Sequence, residues 1–208
     1  DDGGSGPAAM VADEREAWAV LGSIDGVGPV SFGRLVECFG GALQVLAAAR
    51  GRDAVRRLVG GTAAEDGPPT LAPEAALAIV EAAAAPSRLL DPIRTAHLQV
   101  LTLLDDAYPS RLRRIELPPP VLFVRGDARA MERRRAVAIV GTRRPTGIGR
   151  ATADRIGDAV AAVGATVVSG LAQGIDGAAH RGALEGVGST VAVIGTGAGL
   201  VYPAAHHA

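Results

Sequence analysis

The chain has 208 residues, 48% of them hydrophobic, 21% charged and only 3% aromatic, with a formal net charge of −1. That length and apolar share suit one or two soluble globular domains with a sizeable core. No run reaches the ~18 apolar residues of a membrane span, no secretory leader pattern opens the chain, and the single cysteine, Cys38, cannot close an internal disulfide, so a cytoplasmic protein is expected.

The near-zero total hides a strong asymmetry. Every Lys/Arg position is an arginine: residues 1–110 carry eight against fifteen acids, 111–155 twelve against four, and 156–208 one against three. The middle window overlaps a glycine-rich loop after residue 140, which points to a polyanionic partner at that edge. Arg133, Arg134 and Arg135 either belong to that surface or solvate the approach to a strand.

In chain order, residues 1–12, with their Gly/Asp/Ser-rich start, are expected to form a disordered tail. Asp13 to Leu21 predicts a short helix with Trp18 and Leu21 inward. A tight Ile24-Asp-Gly-Val-Gly-Pro29 turn leads into a second helix over 31–39 that carries Phe32, Leu35, Val36 and Phe39, with Cys38 as a small core residue. Two helices about a Gly-Val-Gly hairpin resemble a helix-hairpin-helix module. Only Arg34 lies near it, so a structural role is expected. A third helix follows over 41–49, residues 50–70 read as an Arg/Gly/Pro-rich connection, and Pro73 opens a helix that stops before Pro86. The helical domain is therefore drawn over 13–85.

Residues 89–96 predict a further helix, 99–104 a strand, 110–115 a basic helical turn, and Val121-Leu-Phe-Val124 another strand after Pro118-Pro-Pro120. These strands are expected to extend one edge of the main sheet, so the second domain is drawn over 86–208. Tyr108 and Pro109 are expected to pack a domain junction.

The main sheet begins at Ala136-Val-Ala-Ile-Val-Gly141, an apolar run suited to a parallel strand, followed by Thr142-Arg-Arg-Pro-Thr-Gly-Ile-Gly149. A helix over 150–163, with Ala151, Ile156, Val160 and Val163 as its apolar positions, leads to the strand Ala165–Ser169. The pattern repeats through Gly170–Asp176, a helix to about Gly186, and the strand Ser189–Ile194. The fold class is thus α/β, an incomplete Rossmann-like parallel sheet preceded by a small helical domain, with any ligand expected at the carboxyl ends of the strands. The chain starts without methionine and stops just after the third strand's loop, so it reads as a piece of a longer protein.

The glycines at 141, 147 and 149 fit neither a Gly-x-Gly-x-x-Gly dinucleotide turn nor the shorter dehydrogenase pattern. Arg143-Arg144-Pro145 fills the extra length, and guanidiniums suit a phosphodiester reached from outside. Arg143 is the strongest candidate for a direct phosphate contact; Arg144 either joins it or faces solvent. Thr196 and Gly197 either extend the groove or turn the chain, and Tyr202 is placed to stack on a base. An NAD(P)-dependent short-chain-type oxidoreductase is the alternative, opposed by the missing acid after Ser169-Gly170 and by the missing lysine. Ser169, Asp176 and His180 are triad-type residues, but the expected role of the last two is structural: Asp176 stabilised at a helix start and His180 one turn on bonding it.

The motifs Tyr108-Pro-Ser-Arg-Leu112, Pro119-Pro-Val-Leu-Phe-Val-Arg-Gly126, Val137-Ala-Ile-Val-Gly-Thr-Arg143, Ser169-Gly-Leu-Ala-Gln-Gly-Ile-Asp-Gly-Ala-Ala-His180 and Tyr202-Pro203 together resemble the DNA-processing protein A family, also called DprA or Smf. The resemblance implies a single-stranded-DNA-binding protein of natural transformation that protects incoming DNA, loads the RecA recombinase, and works as a homodimer without cofactor, metal or catalysis. It implies that Gly141, Thr142 and Arg143 grip a phosphate while Ser169, Gly170, Ala172 and Gly174 line the neighbouring wall. Ile148 stands where the family commonly has an aromatic residue, and the family's later Phe-Pro-x-Arg-Asn-Arg and Gly-Ser-Leu-x-Thr-Ala segments are not in this sequence.

Overall fold

A computed structural model of the chain describes residues 11–62, 69–186 and 188–195. Packing divides it into two compact units, Asp1–Val124 and Arg125–Ala208.

The first unit is built on helices α1 (Glu14–Gly22), α2 (Pro29–Phe39), α3 (Ala42–Ala49), α4 (Ala54–Gly61), α5 (Pro73–Ala84) and α6 (Ser87–Thr95). The Asp13 carboxylate caps α1 by accepting from the Glu16 amide at 2.8 Å. α2 starts with proline at its first position and ends at Gly40, whose φ of 83° closes the helix in the left-handed region. α3 has no cap of its own, so Glu14 supplies one from α1: its carboxylate accepts from the Ala42 and Leu43 amides and from Trp18 Nε1. Trp18 packs on Phe32 with ring centroids 4.8 Å apart, and Leu21, Leu35, Leu58 and Ile79 complete the core around them.

Three expectations are corrected in this unit. The 50–70 stretch contains α4, a two-turn helix whose Ala54 and Leu58 are buried; two turns show too little periodicity beside the glycines and arginines to stand out. Cys38 is exposed rather than in the core, because α2 buries only Ser31, Phe32 and Leu35. Strands β1 (Gln99–Thr102) and β2 (Val121–Val124) pair antiparallel with each other, Leu101 opposite Leu122, and add nothing to the parallel sheet. Val121 and Phe123 pack on the helical core, and Val121 stands where a side chain on Gly22 would have to go. This packing carries the first unit to Val124, past the boundary drawn at residue 85.

Between β1 and β2 lies the short helix α7 (Ser110–Arg113). Tyr108 is buried and donates its hydroxyl to Pro119 O at 2.7 Å, with the Arg113 guanidinium over its ring. Burial pushes the Tyr108 phenol above its usual range. Asp105 accepts from the Thr102 amide at 2.7 Å and hydroxyl at 2.9 Å and pairs with Arg15. Burial by itself would raise that carboxyl; the Thr102 bonds and Arg15 outweigh it and hold it below the usual carboxylate range.

In the second unit a 3₁₀ turn, Ala128–Glu132, precedes β3 (Ala136–Ala138), α8 (Gly147–Ala162), β4 (Thr166–Ser169), α9 (Ile175–Glu185) and β5 (Ser189–Ala192). The strands are parallel in the order β3-β4-β5, with Val137 beside Val167 and Val167 beside Thr190. This is the expected α/β arrangement. The inner face of α8 differs from the one expected: Ala153, Gly157 and Ala161 are buried, whereas Ala151, Ile156 and Val163 are exposed. α8 and α9 meet backbone to backbone, since a side chain at Gly157 would overlap Ala179 O and one at Gly182 would overlap Asp154 O. Such an approach selects the small residues and turns the large ones outward.

Candidate nucleic-acid interface

The carboxyl ends of β3 and β4 bring two glycine loops together. After β3 the chain continues in register, Ile139 donating to Val168 O at 3.0 Å, and then turns at Gly141. After β4 it turns at Gly170 and runs through Leu171, whose φ is 56°, to Gly174, whose φ is 102°. Both turns face the first turn of α9.

Asp176 joins them. This buried carboxylate accepts from the Gly141 amide through Oδ1 at 3.3 Å and from the Gly170 amide through Oδ2 at 3.2 Å. The Ile175 amide donates to Thr142 O at 3.2 Å, so the start of α9 also holds the first loop. Glycine is required where these pieces touch. A side chain at Gly141 would lie 2.7 Å from Ile175 Cγ1, and one at Gly174 would overlap Thr142 O. The result is a loop fixed from below at two successive residues, 141 and 142.

Above that support the loop is open. Gly141, Thr142, Arg143 and Arg144 are all exposed. Thr142 Oγ1 accepts from the Arg144 amide at 3.1 Å, and Thr146 caps α8 by accepting from the Gly149 amide at 3.1 Å. Among the described residues neither Arg143 nor Arg144 forms an ion pair. Two guanidiniums on this turn can each offer paired donors to one anionic oxygen group.

The expected wall residues divide by role. Gly170 is exposed, and Ala172 and Gly174 are half-buried beside the first loop, where Ala172 O accepts from the Gly177 amide at 3.0 Å. Ser169 is buried, and its hydroxyl donates to Ile139 O at 2.6 Å, so it ties β4 to β3 beneath the site. Thr196, Gly197 and Tyr202 lie outside the described residues.

Two further expectations are corrected. Each Asp176 oxygen accepts a backbone amide, and the His180 Nδ1 meets Thr190 Oγ1 at 2.6 Å. Because Thr190 spends its own proton on Val167 O at 3.0 Å, His180 Nδ1 is the donor to it. Ser169, Asp176 and His180 thus bond to separate partners instead of forming a catalytic relay. The arginine-rich window also divides. Arg135 O accepts from Thr166 N at the amino end of β3, whereas Arg143 and Arg144 follow its carboxyl end. A stretch of sequence that contains a strand delivers its charge to both ends of the sheet.

Sequence reasoning missed the role of Asp176. The signal available was an acid in the first turn of a helix flanked by glycine loops, but nothing local links it to Gly141, 35 residues earlier. The same pairing takes up the Gly141 amide, which weakens both the dinucleotide alternative and the expected grip of Gly141 on a phosphate. Among the described residues no group of three metal-ligating side chains gathers, and no single helix is long and apolar enough to cross a membrane.

Comparison with known proteins agrees with the geometry. The family model described as DNA recombination-mediator protein A matches residues 99–208, more than half of the chain. DNA processing protein DprA of Bacillus subtilis (strain 168) is 35% identical over 116 residues, which are 56% of this chain and 39% of that protein. Protein Smf of Synechocystis sp. (strain ATCC 27184 / PCC 6803 / Kazusa) is 42% identical over 121 residues, 57% of this chain and 30% of that protein. The chain therefore spans well under half the length of these curated relatives. The X-ray structure of DprA from Streptococcus pneumoniae shares the fold, with a TM-score of 0.65 and 23% identity over 94% of this chain and 62% of that one. On the family match, the chain belongs to the DNA recombination-mediator protein A family.

Proposed function

We propose that this chain binds single-stranded DNA at the carboxyl edge of the parallel sheet, with Arg143 on a phosphate and Arg144 beside it. The observation that carries the reading is the loop itself: its backbone is committed to α9, and its two arginines are exposed without an acidic partner among the described residues. Geometry supports recognition of a phosphodiester; membership of the family supports the DNA strand as its source. Gly170, Ala172 and Gly174 would form the neighbouring wall.

Binding of this kind is backbone-dominated and tolerant of sequence, since the chain is only 3% aromatic and has few stacking groups. In this reading the site binds without catalysing, and the polar side chains at its base, Ser169 and Asp176, hold the strands and loops. In the whole protein the same reading makes it a cytoplasmic homodimer of natural transformation that shields incoming DNA and passes it to the RecA recombinase.

Fluorescence anisotropy of a labelled oligo-dT strand with an unlabelled duplex competitor tests this. Binding that survives excess duplex supports the reading; equal displacement by duplex, or no binding by folded chain, overturns it.

A further inference from the structure

The first unit carries a second concentration of positive charge. Four of the eight arginines in residues 1–110, Arg50, Arg52, Arg56 and Arg57, fall within eight positions at the turn from α3 into α4. All four are exposed, and among the described residues none forms an ion pair. Asp53 is the only acid between Glu37 and Glu65, in a stretch of chain that is otherwise rich in acids. The predicted Gly-Val-Gly hairpin has only Arg34 nearby; the charge sits one helix pair further on.

The arrangement is unfavourable by itself. Arg57 Nη1 lies over Gly51, where a side chain would come within 3.2 Å of it, and Arg50 Nε is tethered to Ala83 O at 3.0 Å, so these guanidiniums share one small turn. Arg56 and Arg57 occupy the first turn of α4, the end at which helix dipoles disfavour cations. Repulsion and dipole both act against the cluster, and no carboxylate bonded to it offsets them. Beside it runs an open groove lined by the apolar Val55, Val59, Pro73 and Val80 together with Arg56 and Asp53.

We propose that the α3–α4 turn is a second phosphodiester-binding surface that holds a further part of the same single strand. The class of ligand follows from the chemistry. Guanidinium forks match phosphate oxygens, an apolar lining accepts unpaired bases, and the acidic remainder of residues 1–110 repels a polyanion everywhere else and so directs it here. The inference rests on the single-strand reading of the Arg143 loop but uses different residues.

The test compares the full chain with an R52A/R56A/R57A variant and its R52K/R56K/R57K counterpart by anisotropy across a salt series. One labelled strand has about four to six nucleotides, enough for one site, and another is several times longer. Circular dichroism checks that each variant is folded, which surface substitutions should leave intact.

For the long strand the alanine variant should bind at least tenfold more weakly, and its salt slope should drop by about 2, at ~0.7 for each phosphate no longer neutralised. The short strand should be held as before, and the lysine variant should recover most of the affinity. Unchanged long-strand binding in the alanine variant overturns the inference while leaving the Arg143 site standing. Displacement of the long strand by poly-glutamate in the wild type, but not in the alanine variant, would assign the surface to an acidic protein instead. Failure of the folded wild-type chain to bind either strand overturns both readings.

Discussion

The Asp176 carboxylate accepts the Gly141 amide at 3.3 Å across 35 residues of sequence, and this bond joins the loop after β3 to the helix after β4. Its other oxygen takes the Gly170 amide. Replacing Asp176 with alanine removes two hydrogen bonds to a charged acceptor, and because Gly141 and Gly170 are exposed and water can take its place, each loss should cost no more than about 0.5–1.5 kcal/mol. Urea denaturation of Asp176→Ala should show a lower midpoint with an unchanged slope, and DNA affinity should fall although no DNA-contacting side chain has been removed. Asp176→Asn keeps one acceptor and should lie between the two.

Gly174 is the tightest point of the same support. Its φ of 102° and the overlap that any side chain would make with Thr142 O both exclude alanine. Gly174→Ala should destabilise the second unit by about 1–3 kcal/mol and weaken DNA binding with it. Gly147, whose surroundings are open, is the control: Gly147→Ala should leave the fold intact.

The seam between α8 and α9 gives a prediction independent of DNA. A methyl group on Gly182 would overlap Asp154 O, so the helices must separate or shear to admit it. Overpacking of this kind costs about 1–3 kcal/mol. A lower thermal midpoint for Gly182→Ala, with the Leu184→Ala variant on the exposed side nearly neutral, would confirm that small residues set the seam.

Asp105 gives the first unit an acid-sensitive tie. Its folded pKa lies below the ordinary carboxylate value, so the stabilisation is fully present above the unfolded pKa of 3.8 and is lost as pH falls through the folded value. Unfolding followed by Trp18 fluorescence should therefore show stability declining below about pH 4. Asp105→Asn should be less stable at neutral pH and flatter across that acid range. An identical acid decline in the variant would mean that other carboxylates carry it.

Much of this architecture is legible without coordinates, for identifiable reasons. Parallel strands such as Thr166–Ser169 are short apolar runs closed by glycine, and Gly164 marks the carboxyl end of α8, whereas its start after Thr146 precedes the expected start at residue 150. What escapes is whatever depends on distant partners. The β1 and β2 segments are recognisable as strands, but their mutual pairing is set by Val121 and Phe123 packing on helices far away in sequence. The inner face of α8 escapes for a different reason: Ala153, Gly157 and Ala161 carry little apolar signal, and Ile156 and Val163 carry more while facing outward. At the candidate site the arginines are legible from the loop's length and composition, whereas the carboxylate that holds their loop is not.

The central claim is that Arg143 contacts a phosphate, and the salt dependence of oligo-dT binding tests it most directly. Arg143→Ala should bind more weakly than wild type and show a slope of log K against log salt that is shallower by about 0.7, the value for one neutralised phosphate on a single strand. Arg143→Lys should keep the slope and lose part of the affinity, because it retains the charge without the paired donors. A folded Arg143→Ala variant with the affinity and slope of the wild type would contradict the claim and move the site away from this loop.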